Sequence, residues 1–287
     1  MFEVGAGLGI AGSSVQSTNS RFNLEGFLED QVKLIFKGST AHRAITGNNS
    51  IMATETVTEP CVGGGSTTTV VNDADNNQVL STGDKFSVEF QNCNDGEFIY
   101  NGKSSLEFLL VEGDIENEIP PYRFQVKTVL ENLNVTDCCQ SGSDSFSVNG
   151  DITMTLNQPD SSNTLLGLQG DSLRIIITGT ESGTVTLKTY LFEVSENEST
   201  GVLSLNSKGM LDSTFIGGSV SFDTPQALVG GSNDENPSSG VMVINGANGS
   251  KQTLTVIDNT RVELAVDANG DGVNETTIPV TWDELVE

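Results

Sequence analysis

Two acidic loops in the sequence have the ligand spacing of a calcium site. The first loop, residues 73–84, places side-chain oxygens at positions 1, 3, 5, 9 and 12, with a backbone carbonyl at position 7. An EF-hand loop surrounds calcium with carboxylate, amide, hydroxyl and carbonyl oxygens at this spacing. The predicted ligands are Asp73, Asp75, Asn77, the carbonyl of Val79, Ser81 and Asp84.

The first loop departs from the EF-hand pattern at two positions. Gln78 stands where the pattern has a turn-forming glycine, and Asp84 stands where it has a bidentate glutamate. We therefore expect a lower calcium affinity than that of a sensor protein. Because strands rather than helices are expected to flank the loop, we predict a structural site and not a switch.

The second loop, residues 267–275, has the better turn. Gly272 occupies the glycine position, but position 12 is Ile278, which has no ligand atom, so Asp283, Glu284 or water must complete the site. For both loops the alternative is a hydrated Asp/Asn turn that binds no metal. The predicted ligands are Asp267, Asn269, Asp271, the carbonyl of Val273 and Glu275.

Enzymatic chemistry is not indicated by the remaining residues. His42 is the only histidine, which excludes most catalytic arrangements built on a Ser-His or Cys-His pair. No G-x-S-x-G elbow, phosphate-binding loop or dinucleotide-binding glycine turn is present. We predict that the protein is not an enzyme. A carbohydrate-active enzyme with two carboxylates in a cleft is less favoured, because one Trp and three Tyr offer little surface for stacking sugars.

The charge of the chain limits its partners. The sequence has 13 Lys and Arg against 39 Asp and Glu, a net charge of −26. Such a field repels nucleic acid and anionic lipid headgroups and attracts divalent cations. No apolar run approaches the roughly 20 residues that a membrane-spanning helix needs. We predict no nucleic-acid partner and no membrane span, and calcium as the bound cation.

Four cysteines, Cys61, Cys93, Cys138 and Cys139, indicate disulfides and an oxidising compartment. The expected location is therefore extracellular, at the cell surface or in the periplasm. Three pairings are open, and we favour Cys61–Cys93. Adjacent Cys138 and Cys139 can bridge each other only through a strained eight-membered ring, so their pairing is left open. The alternative is four buried thiols in a cytosolic protein.

The elements that must position the two loops are predicted to be strands. From about residue 65 apolar and polar residues alternate in short runs bounded by Gly, Asn, Asp or Pro, which is typical of an antiparallel meander. Asn-Gly pairs at 101–102, 149–150 and 245–246 predict tight hairpin turns, because both residue types tolerate positive φ. The predicted strands cover residues 85–90, 104–110, 123–130, 145–156, 172–178, 184–192, 201–205 and 217–222.

The predicted fold class is mainly β, an antiparallel meander, sandwich or large twisted sheet with one N-terminal helix. Apolar residues at helical spacing predict this helix over residues 22–37, and a strand over residues 32–36 is the alternative. The predicted organisation is an extended arm (1–20), a helix-containing segment (21–60), an antiparallel β body (61–229), a linker (230–239) and C-terminal strands that complete the β body (240–287).

Two stretches of the chain resemble uncharacterised secreted proteins and lipoproteins of Gram-negative bacteria. The first begins at Cys61-Val-Gly-Gly and runs through the acidic loop to Cys93, and the second ends in an acidic D-x-N-G-D-G segment followed by Thr-Trp-Asp-Glu-Leu. The resemblance covers residues 61–110 and 237–287. It implies a location in the envelope or outside the cell, supports the Cys61–Cys93 pairing and implies no activity. The chain departs from the lipoproteins in having no cysteine before Cys61 to carry a lipid.

Two functional hypotheses follow from these patterns. We expect a structural or adhesive surface protein that assembles with copies of itself, as a homo-oligomer or filament, by adding its arm to a neighbour as a β-strand. Val4, Leu8 and Ile10 make the Gly- and Ser-rich arm suitable for pairing, and a disordered arm is the alternative. The second hypothesis is an envelope protein that holds an apolar ligand between a curved sheet and the predicted helix.

Overall fold

The computed structural model describes residues 54–77, 79–115, 117–138, 145–179 and 182–285. Most of these residues lie in strands, because alternating β-branched and polar residues give a strand one apolar and one polar face. Two short 3₁₀ turns cover Ala247–Gly249 and Asp283–Leu285. The strands are β1 (Thr54–Pro60), β2 (Ser66–Asn72), β3 (Lys85–Asn94), β4 (Phe98–Asp114), β5 (Ile119–Asp137), β6 (Ser145–Asp160), β7 (Asn163–Thr178), β8 (Gly183–Asn197), β9 (Val202–Ser213), β10 (Gly218–Gly231), β11 (Ser239–Asn245), β12 (Lys251–Asp258), β13 (Arg261–Asp267) and β14 (Thr276–Thr281).

All fourteen strands belong to one antiparallel sheet in which each strand pairs with the next one along the chain. Such a meander needs only short connections between consecutive strands. The prediction of a mainly β, antiparallel protein is confirmed, and the large sheet is the architecture that the chain adopts. The predicted helix over residues 22–37 lies outside the described residues.

One face of the sheet carries the core. Along β5 the side chains of Phe124, Val126, Thr128 and Leu130 are buried at every second position, and burial resumes at Leu133 beyond a bulge. Buried apolar residues from β2 to the segment after β14 form a single cluster. The apolar face of the sheet is therefore covered, whereas the residues between these positions on β5 are exposed or half-buried.

A series of bulges interrupts the ladders in the middle of the sheet. Gly102 has a φ of 106°, and a Cβ at this position would collide with the carbonyl oxygen of Asn132 on β5. The side-chain oxygen of Asn101 accepts a hydrogen bond from the Asn92 N–H at 2.8 Å, and that of Asn149 accepts one from the Asn132 N–H at 2.7 Å. Asparagine therefore satisfies the backbone donor that each bulge releases.

Two of the three predicted Asn-Gly hairpin turns are consequently wrong. The pairs at 101–102 and 149–150 lie inside β4 and β6, where the glycine permits close backbone approach and the asparagine bonds the neighbouring strand. The pair at 245–246 does lie at a turn, between β11 and β12. The strands are longer than predicted for the same reason, since β4 to β8 each pass through a bulge and continue.

The ends of the sheet also differ from the predicted organisation. The strand β1 lies within the segment expected to be helix-containing, because the alternating sequence Thr-Glu-Thr-Val-Thr-Glu already suits a strand before residue 61. The predicted linker, residues 230–239, covers the end of β10, the hairpin connection 232–238 and the first residue of β11. Within this connection the Ser238 N–H donates to the carbonyl of Val229 at 2.8 Å, so the C-terminal strands continue the same sheet.

The predicted disulfide is present. Cys61, just after β1, is bonded to Cys93 near the end of β3, with their Cα atoms 5.4 Å apart. The Cys138 Sγ donates to the carbonyl of Gly96 at 3.2 Å, and Cys139 lies outside the described residues. The bridge spans β2 and ties the first edge of the sheet to its interior. In the described ranges no helix has the length and apolar character needed to span a membrane.

Candidate metal centres

Both acidic loops connect paired strands close to an edge of the sheet. The first loop joins β2 to β3, next to the edge strand β1, and the second joins β13 to the edge strand β14. A hairpin loop is closed by the pairing of the strands on either side, so ligands separated by several residues return to the same place. The fold thus brings together the two ends of each predicted ligand set.

Three carboxylates of the first loop meet in a cluster that can hold a metal ion. One ligand oxygen from each of Asp73, Asp75 and Asp84 lies within 4.8 Å of the others. Asp73 and Asp84 are only 2% and 1% exposed, whereas Asp75 faces solvent. Carboxylates are rarely buried so deeply unless they are paired, hydrogen-bonded or coordinated to a cation.

Backbone donors hold Asp84 in place. The Ala74 N–H donates to its Oδ1 at 2.9 Å, and the Ser81 N–H donates to its Oδ2 at 2.7 Å. The Asp84 backbone carbonyl also accepts from the Phe108 N–H on β4 at 2.9 Å. The Oδ1 has a second lone pair that these bonds do not use, so they orient Asp84 while leaving it able to coordinate a cation.

The other predicted ligands of the first loop shape its backbone. The Asn77 side-chain oxygen accepts from the Val79 N–H at 2.6 Å, and its amide donates to the Asp75 Oδ2 at 2.8 Å. The Ser81 hydroxyl donates to the Asp84 Oδ2 at 3.3 Å. In this geometry Asn77 and Ser81 act on the conformation and orientation of the carboxylates, and the Val79 side chain is half exposed at 52%.

The second loop forms an equivalent cluster of three carboxylates. One ligand oxygen from each of Asp267, Asp271 and Glu275 lies within 4.8 Å of the others. Asp267, at the end of β13, is buried at 5% exposure, and the other two acids are exposed. A buried acid at the base of the loop and exposed acids above it leave room for both protein oxygens and water around an ion.

The turn of the second loop orients its first ligand. Asp267 accepts hydrogen bonds from the Gly270 N–H at 2.7 Å and from the Gly272 N–H at 2.8 Å, one on each carboxylate oxygen. The Asn269 Oδ1 accepts from the Asp271 N–H, and the Asp271 Oδ1 accepts from the Val273 N–H, both at 2.8 Å. The loop therefore has the compact turn that Gly272 predicted, and the carboxylates are directed by backbone amides.

The last carboxylate of the second site, Glu275, comes from the loop itself. The Glu275 Oε2 accepts from the Ala268 N–H at 2.7 Å, which brings Glu275 back to the start of the loop. Ile278 lies on β14 opposite Leu264. Asp283 and Glu284 lie beyond the far end of β14, so they do not complete the site as one alternative supposed.

Glu284 has a different role, which the sequence pattern missed. Its Oε2 accepts from the Thr281 N–H at 2.7 Å and from the Thr281 hydroxyl at 3.0 Å, and the Glu284 N–H donates back to that hydroxyl at 3.3 Å. These hydrogen bonds lower the pKa of the Glu284 carboxyl. The spacing Thr-x-x-Glu is that of a capping box, a local signal that identifies this pair without a structure.

Asp258, which belongs to neither cluster, is an acid with a cationic partner. The Arg261 guanidinium donates to the Asp258 Oδ2 at 2.7 Å, and with the Thr260 donors it holds the pKa of Asp258 well below its usual range. Among the described residues no ion pair joins Asp267, Asp271 or Glu275 of the second cluster. Three carboxylates within a few ångströms repel one another, and a divalent cation removes this repulsion.

These features define a single-sheet antiparallel β protein with two acidic loops that can hold metal ions. Comparisons of the chain with protein-family models, with curated proteins and with solved structures give no match. The candidate function therefore depends on the geometry of the loops and of the sheet.

Proposed function

We propose that the protein is a non-enzymatic structural or adhesive protein outside the cytoplasm, and that calcium bound to both acidic loops stabilises its sheet. The observation that carries this proposal is the position of the loops. Each loop lies in one of the last two hairpins at its end of the sheet, where a strand has few neighbours to hold it. A cation there would fasten the parts of the sheet that open most easily.

Calcium is favoured over other metals by the chemistry of the ligands. Both clusters offer oxygen alone, whereas zinc and copper sites are usually built with imidazole or thiolate ligands. Calcium accepts six to eight oxygens in a flexible geometry that includes backbone carbonyls and water. Magnesium demands a tighter octahedron, which loops with at least one solvent-exposed carboxylate are less suited to impose.

The proposed location agrees with the disulfide and with the expected affinity. A Cys61–Cys93 bridge is compatible with an oxidising compartment. Calcium sites of extracellular modules typically have Kd values of about 10⁻⁴ to 10⁻³ M, in the range expected for loops that lack the bidentate glutamate of a sensor. Such sites fill where calcium is abundant and serve stability rather than signalling.

Self-assembly by strand addition is the second part of the proposal. An open sheet offers unpaired backbone groups along both outer strands, and an extended segment of another chain can pair with them. The arm, residues 1–20, supplies such a segment within the same protein. Assembly of this kind suits a structural or adhesive component of a surface.

Calcium titration of the full chain tests the first part. We expect two calcium sites by calorimetry and a rise in the free energy of unfolding. At about 10 mM calcium and Kd values of about 10⁻³ to 10⁻⁴ M, mass action gives about 1.4 to 2.7 kcal/mol per site. The variants Asp75→Asn and Asp271→Asn each change one exposed ligand and should each abolish one site.

Asp160→Asn is a matched control for these two variants. Asp160 is also an exposed aspartate that accepts backbone hydrogen bonds in a turn, from the Ser162 and Asn163 N–H groups, but it belongs to neither cluster. Its substitution should leave both calcium sites intact. A wild-type protein that shows neither calcium heat nor stabilisation would refute the proposed sites, as would full stabilisation in the Asp75→Asn/Asp271→Asn double variant.

A further inference from the structure

The two edges of the sheet differ in the backbone donors that they present to a new strand. On β14 the Trp282 N–H bonds the carbonyl of Thr260, so even-numbered residues face β13 and odd-numbered residues face outward. Pro279 has no N–H, and the outward N–H of Thr281 is already bonded to Glu284. Thr277 alone retains an outward donor along β14.

The edge formed by β1 is open by comparison. The Cys61 N–H bonds the carbonyl of Gly65 at 3.1 Å, which continues the register of β1 with β2 and turns the odd-numbered residues of β1 toward β2. Thr54, Thr56 and Thr58 therefore direct their N–H and C=O groups outward. Within the described ranges no hydrogen bond takes these three N–H groups. A pairing strand meets three consecutive donors here and one on β14.

We propose that β1 is the acceptor edge, and that its occupant is the arm, residues 1–20, of a second copy of this chain. This inference rests on the proposed assembly by strand addition and specifies where it occurs. The capped β14 edge is a poor acceptor because a strand placed there leaves its own carbonyls opposite a proline and a used donor. The β1 edge offers three donors, at Thr54, Thr56 and Thr58, before Pro60, which has no N–H, ends the row.

Charge favours the arm over a second β1 strand as the occupant. The body of the protein is strongly acidic, and the sequence of β1 has two glutamates and no basic residue, so pairing two β1 strands would bring like charges together. The arm carries Glu3 as its only charged side chain. Like charges across a strand pair are destabilising, so the nearly uncharged arm is the better partner.

The positions in the chain of the donated arm and of the accepting strand β1 determine the size of the assembly. Both belong to the N-terminal end of the chain, joined by residues 21–53, so a copy that has received an arm is already tethered to the partner whose β1 can receive its own arm. The high effective concentration favours return of that arm. Reciprocal exchange gives a closed two-fold dimer, and the capped β14 edges prevent further growth into a filament.

Matched proline substitutions at the two edges test this assignment by sedimentation of the full chain. Thr56→Pro removes an outward donor of β1 without removing a ladder bond to β2, and Thr277→Pro does the same on β14. We expect the wild type to be a dimer, Thr56→Pro to raise the dimer Kd by roughly tenfold or more, and Thr277→Pro to leave it unchanged. Circular dichroism checks that both variants fold.

Substitutions in the arm provide a second measurement that does not alter the sheet. The full-chain variant Val4→Asp/Leu8→Asp/Ile10→Asp should be monomeric and should bind a synthetic peptide of residues 1–20. Adding Thr56→Pro to it should weaken peptide binding by about the square root of the factor by which it weakens the dimer, because the reciprocal dimer contains two such interfaces. The control, with Asp in place of the arm serines at 13, 14 and 17, adds equal charge at polar positions and should remain a dimer.

The outcomes separate this inference from the proposed assembly. A wild-type protein that stays monomeric at high concentration refutes both. Assembly that Thr277→Pro weakens and Thr56→Pro does not would overturn the β1 assignment while leaving strand addition intact. Growth beyond a dimer, or an arm-substituted variant that does not bind the peptide, would likewise overturn the inference. Dimerisation lost in both Thr56→Pro and the arm variant, and retained in both controls, supports it.

Discussion

Gly150→Ala should destabilise the protein far more than Gly64→Ala, although both glycines have positive φ. Gly150 has a φ of 137° in β6, and a Cβ there would collide with the carbonyl of Ser172 on β7 and lie 2.8 Å from the Leu173 Cα. Gly64 has a φ of 110°, and nothing lies within 4 Å of its Cβ position. The pair thus isolates the cost of close backbone approach from the cost of the backbone conformation.

The magnitudes follow from these surroundings. For Gly64→Ala only the conformational cost applies, about 1 kcal/mol. For Gly150→Ala the strands β6 and β7 must also separate, which disturbs ladder hydrogen bonds of about 1 kcal/mol each and the packing of fully buried Val148. We expect a total loss of about 3 to 5 kcal/mol.

Urea unfolding of both variants, followed by circular dichroism, measures the difference in the free energy of unfolding. Equal and small losses would show that the bulge in β6 yields easily, and that the glycine is not required there. A similar slope with urea in both variants is the control, since it shows that the unfolding reaction exposes the same surface.

Three further predictions concern protonation and the disulfide. Hydrogen bonds from Thr281 lower the pKa of Glu284. The contribution of Glu284 to stability is therefore present above the unfolded pKa near 4.5 and is lost as pH falls through the lower folded pKa. Glu284→Ala should remove this acid dependence in melting curves and increase association through β14. Burial raises the pKa of Tyr190, whose hydroxyl donates to the carbonyl of Asp151 at 2.8 Å. Stability should therefore be lost as pH rises above the unfolded pKa near 10. Tyr190→Phe should weaken this alkaline loss, and equal losses in both proteins would show that ionisation of Tyr190 does not cause it. Reducing the Cys61–Cys93 bridge, which closes a separation of 32 residues, should cost about 3 to 4 kcal/mol in chemical unfolding, and a Cys61→Ser/Cys93→Ser variant should show no effect of reductant.

The alternation of apolar and polar residues predicted the strands well but not where they end. Alternation of apolar and polar residues is local, so it is visible in any short run such as residues 85–90. An Asn-Gly pair is ambiguous, because the positive φ that makes a tight turn also makes a bulge. The neighbouring strand decides whether the pair forms a turn or a bulge. Asn132 lies close to Gly102 and Ser172 lies close to Gly150, and such pairing partners cannot be predicted from the sequence of one strand alone.

The acidic loops were predictable because their ligands are close in sequence. Spacing identified all three carboxylates in each cluster, and hairpin pairing is enough to bring the first and last together. The roles of Asn77 and Ser81 were less predictable. Whether such a side chain faces an ion or bonds its own backbone depends on the loop conformation, which in the first loop has Gln78 in place of a glycine.

The second candidate metal site and the protection of the C-terminal edge involve the same strand, β14. Pro279 and Glu284 protect the sheet only while β14 remains paired, and β14 is a six-residue strand held by β13 alone. Its connection to β13 contains the three carboxylates of the second loop, and their mutual repulsion favours opening of that hairpin. If β14 separates, β13 becomes the edge, and its outward groups are not capped by Pro279 or Glu284. A cation in the second loop would therefore stabilise the sheet and keep its protected edge in place, which is the role that we propose for calcium at this hairpin.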